Sequence, residues 1–267
     1  MTLRFGCVRW TLGGVGLGAV ALAIAAFIGG ASISATPASA GQVNEMQDGV
    51  FITEAWRIRE GGRIYANWAD ELDGALPKTT HPAYPAAGKK KGATTWRCKE
   101  CHGWDYKGKD GTYGSGGHYT GIMGLEDFVA RGPEDLIGIL RDKTHQYTDK
   151  MIPDSAVENL AYFLALGRID MDAYIDRKTK KARGNLRHGA EVFQTVCAVC
   201  HGLNGKAYNF NTSEDPEYIS TVGRENPWEM LHNLRFGHSG DAMVGLVAFP
   251  IQSQVDVLAY TQTLPTK

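Results

Sequence analysis

The chain has 267 residues, 43% hydrophobic and 21% charged, the composition of a globular protein long enough for two ordinary domains. Its formal net charge is -1, so no strong field points toward nucleic acid or an anionic membrane surface, and nucleic acid is excluded as an expected partner.

The first forty residues read as a separate object. Arg4 and Arg9 precede an apolar run over residues 10–28, and small residues follow as far as Ala38-Ser39-Ala40. That order matches a secretory signal peptide over 1–40, cut after Ala40, and implies a periplasmic protein. An uncleaved anchor is the rival, and a membrane is a partner only if this segment is retained. Gly13, Gly14, Gly16 and Gly18 weaken it as a span. Cys7 leaves with the peptide, so four cysteines remain.

Beyond the peptide, residues 61–68 have the look of a short helix, and a proline-bearing stretch over 76–91 reads as an insertion. His81 within it is expected at the surface. Cys98-Lys99-Glu100-Cys101-His102 follows, then a glycine-rich loop with His118. Pro133 with Glu134 and Asp135 signals a helix start, since proline suits the first turn and acids suit the helix dipole there. His145 and Met151 come next, and apolar residues at helical spacing predict a closing helix over 154–166. A polar, basic stretch, 177–183, reads as a solvated connection.

The same order then repeats. Gly189-Ala190-Glu191-Val192-Phe193 leads into Cys197-Ala198-Val199-Cys200-His201, with His201 lying 99 residues after His102. Pro227 opens a helix, His238 and Met243 follow, and a closing helix is predicted over 252–264. All four remaining cysteines thus sit in two Cys-x-x-Cys-His units, with none left for a structural disulfide. A lone Cys-x-x-Cys could be a redox dithiol or half of a zinc site. Two copies, each followed at once by His, point instead to two covalently bound haem c groups. Two intervening residues let one turn reach both vinyl carbons, and the adjacent His becomes the proximal ligand. The expected attachment residues are therefore Cys98, Cys101, Cys197 and Cys200, and the proximal iron ligands are His102 and His201.

Each repeat resembles a class I cytochrome c domain, and residues 61–264 together resemble the tandem dihaem cytochromes c. The resemblance implies an all-α fold of two tandem haem domains, 41–170 with an N-terminal extension and 189–267, joined by a basic linker over 171–188. It also implies a distal methionine thioether just before each last helix. Met151-Ile152-Pro153 carries the usual following proline, whereas Met243-Val244-Gly245 lacks it. A soft thioether favours iron(II) and raises the potential, so Met151 and Met243 are the expected distal ligands. His145 and His238 are the rivals, Met123 is the second choice in the first repeat, and Met230 reads as core filler. Trp96, Trp104 and Tyr106 are expected to pack on the porphyrin, while His118, His188 and His232 carry no assigned role.

Two functions follow. The first is a one-electron carrier or cytochrome subunit working between other redox proteins, with Lys89, Lys90 and Lys91 as a docking patch for an acidic partner. The alternative is a dihaem oxidoreductase acting on a small inorganic sulfur compound, similar to thiosulfate dehydrogenases. In that family a cysteine outside the haem motifs ligates one iron, and this chain has none after Cys7.

Overall fold

A computed structural model of the chain describes residues 43–47, 50–86, 88–126 and 132–267, so the signal-peptide reading lies outside the described residues. These residues are mostly helical, which places the chain in the all-α class. The departure is a short antiparallel hairpin of β1 (Val43–Gln47) and β2 (Val50–Thr53), with Gln47 opposite Val50. Among the described residues no helix is long and apolar enough to cross a membrane.

β2 runs directly into α1 (Glu54–Glu71), where the Thr53 hydroxyl accepts the Trp56 N–H at 3.1 Å and Glu54 sits in the first turn. The predicted short helix over 61–68 is thus the middle of a longer one, broken at Asn67 (φ −158°, ψ 92°). The described residues of the insertion form no helix or strand before a 3-10 turn, Gly92–Trp96, which leads into α2 (Cys98–His102). Next come α3 (Pro133–Arg141), with its proline in the first turn as expected, and α4 (Asp154–Tyr162), extended by a π turn, Phe163–Gly167. The second half holds α5 (Leu186–Val192), a π turn at Phe193–Cys197, and α6 (Ala198–His201). It closes with α7 (Ile219–Glu225), α8 (Pro227–Phe236) and α9 (Ile251–Thr261).

One helix crossing occurs in both halves. α1 crosses α4 at Gly61, where a Cβ would strike the Asn159 carbonyl and the Phe163 Cβ. α5 crosses α9 at Gly189, where a Cβ would strike the Asp256 carbonyl and the Tyr260 Cβ. In each case the contacted residues are four apart, one helical turn, so the backbones meet in the same way. Glycine alone permits that approach.

The halves also share a core. Gly62 of α1 lies against the Phe236 ring of α8, leaving no room for a Cβ. His232 of α8 is fully buried; its Nε2–H donates to the Gly62 carbonyl at 2.9 Å and its Nδ1 accepts the Tyr106 hydroxyl at 2.8 Å. Tyr65, Phe163 and Trp104 surround the ring, with Trp104 5.0 Å away between centroids. Residues 40–267 accordingly form one compact unit.

Residues 171–188 differ from a free connection. Their basic side chains are exposed, but Met171 and Ile175 are buried and Ile175 pairs with Ala182. Arg177 donates to the buried Asp105 carboxylate at 3.1 Å, and Lys180 to the Glu225 carbonyl at 2.6 Å. Gln262 of the second half accepts the Ala182 N–H at 3.0 Å.

Candidate functional site

The two Cys-x-x-Cys-His turns are close copies in three dimensions. Each ends on a glycine with positive φ, Gly103 at φ 80°, ψ 159° and Gly202 at φ 74°, ψ 158°. Gly103 donates back to Lys99 at 3.0 Å and Gly202 to Ala198 at 2.9 Å. The carbonyl of His102 accepts the Gly108 N–H at 2.9 Å and that of His201 the Ala207 N–H at 3.0 Å. In both copies the chain therefore leaves the histidine along one path. A side chain with a Cβ rarely adopts this φ, which accounts for glycine at both exits.

Burial pushes the Cys98 thiol up to about 11, Cys101 to about 12 and Cys197 to about 11. That is the reverse of an active dithiol, whose nucleophilic cysteine is held as thiolate. Among the described residues no three His, Cys, Asp or Glu side chains converge to hold a bare metal ion.

His102 is held through one ring nitrogen. Its Nδ1–H donates to the Met123 carbonyl at 2.9 Å, and crowding by protein pushes its pKa down to about 4. The ring is thus neutral, with Nε2 carrying the free lone pair, the state a metal ligand requires. Met123 gives its carbonyl to His102 while its side chain is exposed. His201 lies 6.2 Å from the Tyr208 ring and 6.4 Å from Phe210, between centroids, and burial lowers its pKa too. Its Nδ1 is buried without a hydrogen-bond partner.

The distal candidates sit on loops that precede the last helix of each half. Thr148 donates its N–H to the Met151 sulfur at 3.4 Å, and Met151 is half-buried against the core. Tyr147, on the same loop, donates to the Trp96 carbonyl at 2.7 Å and also meets the Cys98 thiol, so the loop returns over the first motif. His145 lies close enough for its charge to weigh on His102. A cavity of about 740 Å³ opens beside this loop, walled by Arg141, Lys143, Gln146 and Tyr147. Met243 is half-buried on the second loop, while His238 is exposed and held by Asp241 at 2.6 Å.

Several residues depart from their sequence reading. His81 is buried, not at the surface; its ring lies 4.3 Å from Trp96 between centroids and its Nε2–H donates to the His145 carbonyl at 2.7 Å. The insertion thereby braces the first distal loop, an arrangement that nothing in local sequence signals. Trp104 and Tyr106 both contact His232, Trp104 ring to ring and Tyr106 through its hydroxyl. Met230 is core, as its helical position suggested. His118 stacks on Tyr113 at 4.6 Å and bonds Glu100 at 3.3 Å.

Covalent haem fits these residues. Both thiols and the histidine of each motif lie within about one helical turn, and His102 is neutral with Nε2 free. His201 Nδ1, in the second motif, is among several buried side-chain polar atoms without a hydrogen-bond partner in the described residues. No family model, curated protein or solved structure matches this chain.

Proposed function

We propose that the chain is an exported, periplasmic dihaem c-type cytochrome built from two class I-like domains, passing single electrons between other redox proteins. The observation that carries the reading is the repeated turn: two Cys-x-x-Cys-His segments closed by glycines with matching backbone angles and matching hydrogen bonds. The repeated glycine crossing of first and last helices supports a duplicated domain. Haem held on Cys98 and Cys101, and on Cys197 and Cys200, supplies a one-electron iron couple at each site.

The chain's own residues do the rest. His102, held by the Met123 carbonyl, presents Nε2, and His201 is the counterpart in the second half. Met151 and Met243 are the proposed distal ligands, closing both coordination spheres and keeping small molecules off the iron. Lys89 and Lys91 are exposed near the first motif and suit an acidic partner.

Mass and pyridine-haemochrome analysis of the purified protein should give two covalent haems. The ferric spectrum should carry a thioether-to-iron charge-transfer band for each, with no high-spin signal. Met151→Ala and Met243→Ala should each remove half of that band. A high-spin iron in the unmodified protein would overturn the carrier reading and favour the sulfur-compound oxidoreductase. Absence of covalent haem would sink both.

A further inference from the structure

The two distal loops are fastened in different ways. The first, around residues 142–151, is held from within its own half: the Asp142 carboxylate accepts the Thr144 and His145 N–H groups at 2.8 Å, and His81 of the insertion bonds the His145 carbonyl. The second, running from Gly237 to Met243, has its own His238–Asp241 contact and is fastened in addition by the other half.

Arg63 and Glu71 of α1 form a buried pair, with Nε to Oε1 at 2.7 Å and side chains 6% and 8% exposed. The break at Asn67 lies between them. Each uses a further atom on the loop. Arg63 Nη2 donates to the Asp241 carbonyl at 3.0 Å, and Glu71 Oε2 accepts the Gly240 N–H at 2.9 Å. The Ser239 hydroxyl donates to the Arg63 carbonyl at 2.8 Å. Gly237 has φ 84°, and a Cβ there would lie 2.5 Å from the Met243 carbonyl and 2.9 Å from Arg63 Nη1. Gly240, at φ 75°, is pressed against the Asp70 backbone. Water is nearly excluded from both charged groups, so these bonds are strong and leaving one partner alone is unfavourable.

We infer that Arg63 and Glu71 are positioning residues for Met243: the first half holds the distal ligand of the second iron in place. This rests on the dihaem reading and extends it. Ligation at the second iron then depends on the docking of the two halves, whereas ligation at the first does not. Anything that loosens α1 from the loop frees Met243 and opens the second iron alone to added ligands, leaving the first closed.

The test uses the full holoprotein and the variants Glu71→Gln, Arg63→Ala and Ser239→Ala, each alone and combined with Met151→Ala or Met243→Ala. Glu71→Gln, which keeps the side-chain volume, guards against simple misfolding, and the first haem serves as an internal control. Glu71→Gln and Arg63→Ala should lose charge-transfer intensity, up to the half that Met243→Ala removes. They should lose no more in the Met243→Ala background, and most of what remains in the Met151→Ala background. Imidazole should bind one haem more tightly, and the Gly240 amide should exchange with solvent by about tenfold or more faster, as expected for a lost bond to a charged group. Unchanged band, imidazole affinity and Gly240 exchange, with only a lower melting temperature, would reduce the pair to a structural contact and overturn the inference. A band that survives Met243→Ala at full strength would also overturn it, by removing Met243 as ligand while leaving the haem count intact.

Discussion

His232 shows how much one side chain can hold. It sits at the junction of the halves, fully buried, with both ring nitrogens satisfied by Tyr106 and Gly62. Burial pushes its pKa down to about 3, only partly opposed by the Gly62 carbonyl and reinforced by the charges of Arg235 and Lys99. The folded state therefore keeps the ring neutral, while the unfolded chain takes a proton below about pH 6.5. Its contribution is complete above that value and declines as pH falls toward about 3. Between pH 7 and pH 4 this group should remove about 3 kcal/mol of stability. Denaturant melts of the parent and of His232→Gln at both pH values check this; equal losses in the two proteins would exclude His232 as the source. No sequence pattern marked the residue, because its partners come from Gly62 and Tyr106, far away along the chain.

At the scale of helices, the glycine crossings are the sharpest requirement. Gly61→Ala and Gly189→Ala each push a methyl into a facing carbonyl, with loss of about 2–3 kcal/mol or more, since packed helices give way little. Gly138, exposed on α3, has nothing within 4 Å of a built Cβ. Gly138→Ala should therefore stabilise by about 0.5–1 kcal/mol through helix propensity and a less flexible unfolded chain. Thermal melts of the three variants test the contrast. The starts of α3 and α8 were legible, because proline and first-turn acids are local signals. So were the last helices, from their apolar spacing. The β1–β2 hairpin and the full length of α1 were not, since helix periodicity over 61–68 says nothing of where the flanking chain packs.

For the whole molecule, the packing of α1 on both α4 and α8 sets the behaviour. With Phe236 seated on Gly62, and His232 between Tyr106 and Gly62, neither half has a complete core of its own. Unfolding should be a single cooperative transition by calorimetry, with calorimetric and van't Hoff enthalpies equal. Two resolved transitions would mean that the shared core contributes little. Gly62→Ala, which drives a methyl into the Phe236 ring, should lower that one transition and weaken the Arg63 brace beside it. The exposed Lys89 and Lys91 yield a separate expectation: the rate of electron exchange with an acidic partner should fall as salt rises, because the Debye length shrinks to about 8 Å at physiological ionic strength.

The amino-acid order by itself determined the two Cys-x-x-Cys-His segments, their repetition and the helical class. These rest on contacts within a few residues, where covalent geometry and backbone sterics decide the outcome. Tertiary structure alone decided that His81 lies inside, that the Met123 carbonyl meets His102, that residues 171–188 are tied at both ends, and that Arg63 and Glu71 reach the Met243 loop. Each of these joins groups from about twenty to well over a hundred residues apart. Which distant polar atom meets which is settled by the packing of the helices that carry them, and no local spacing records it.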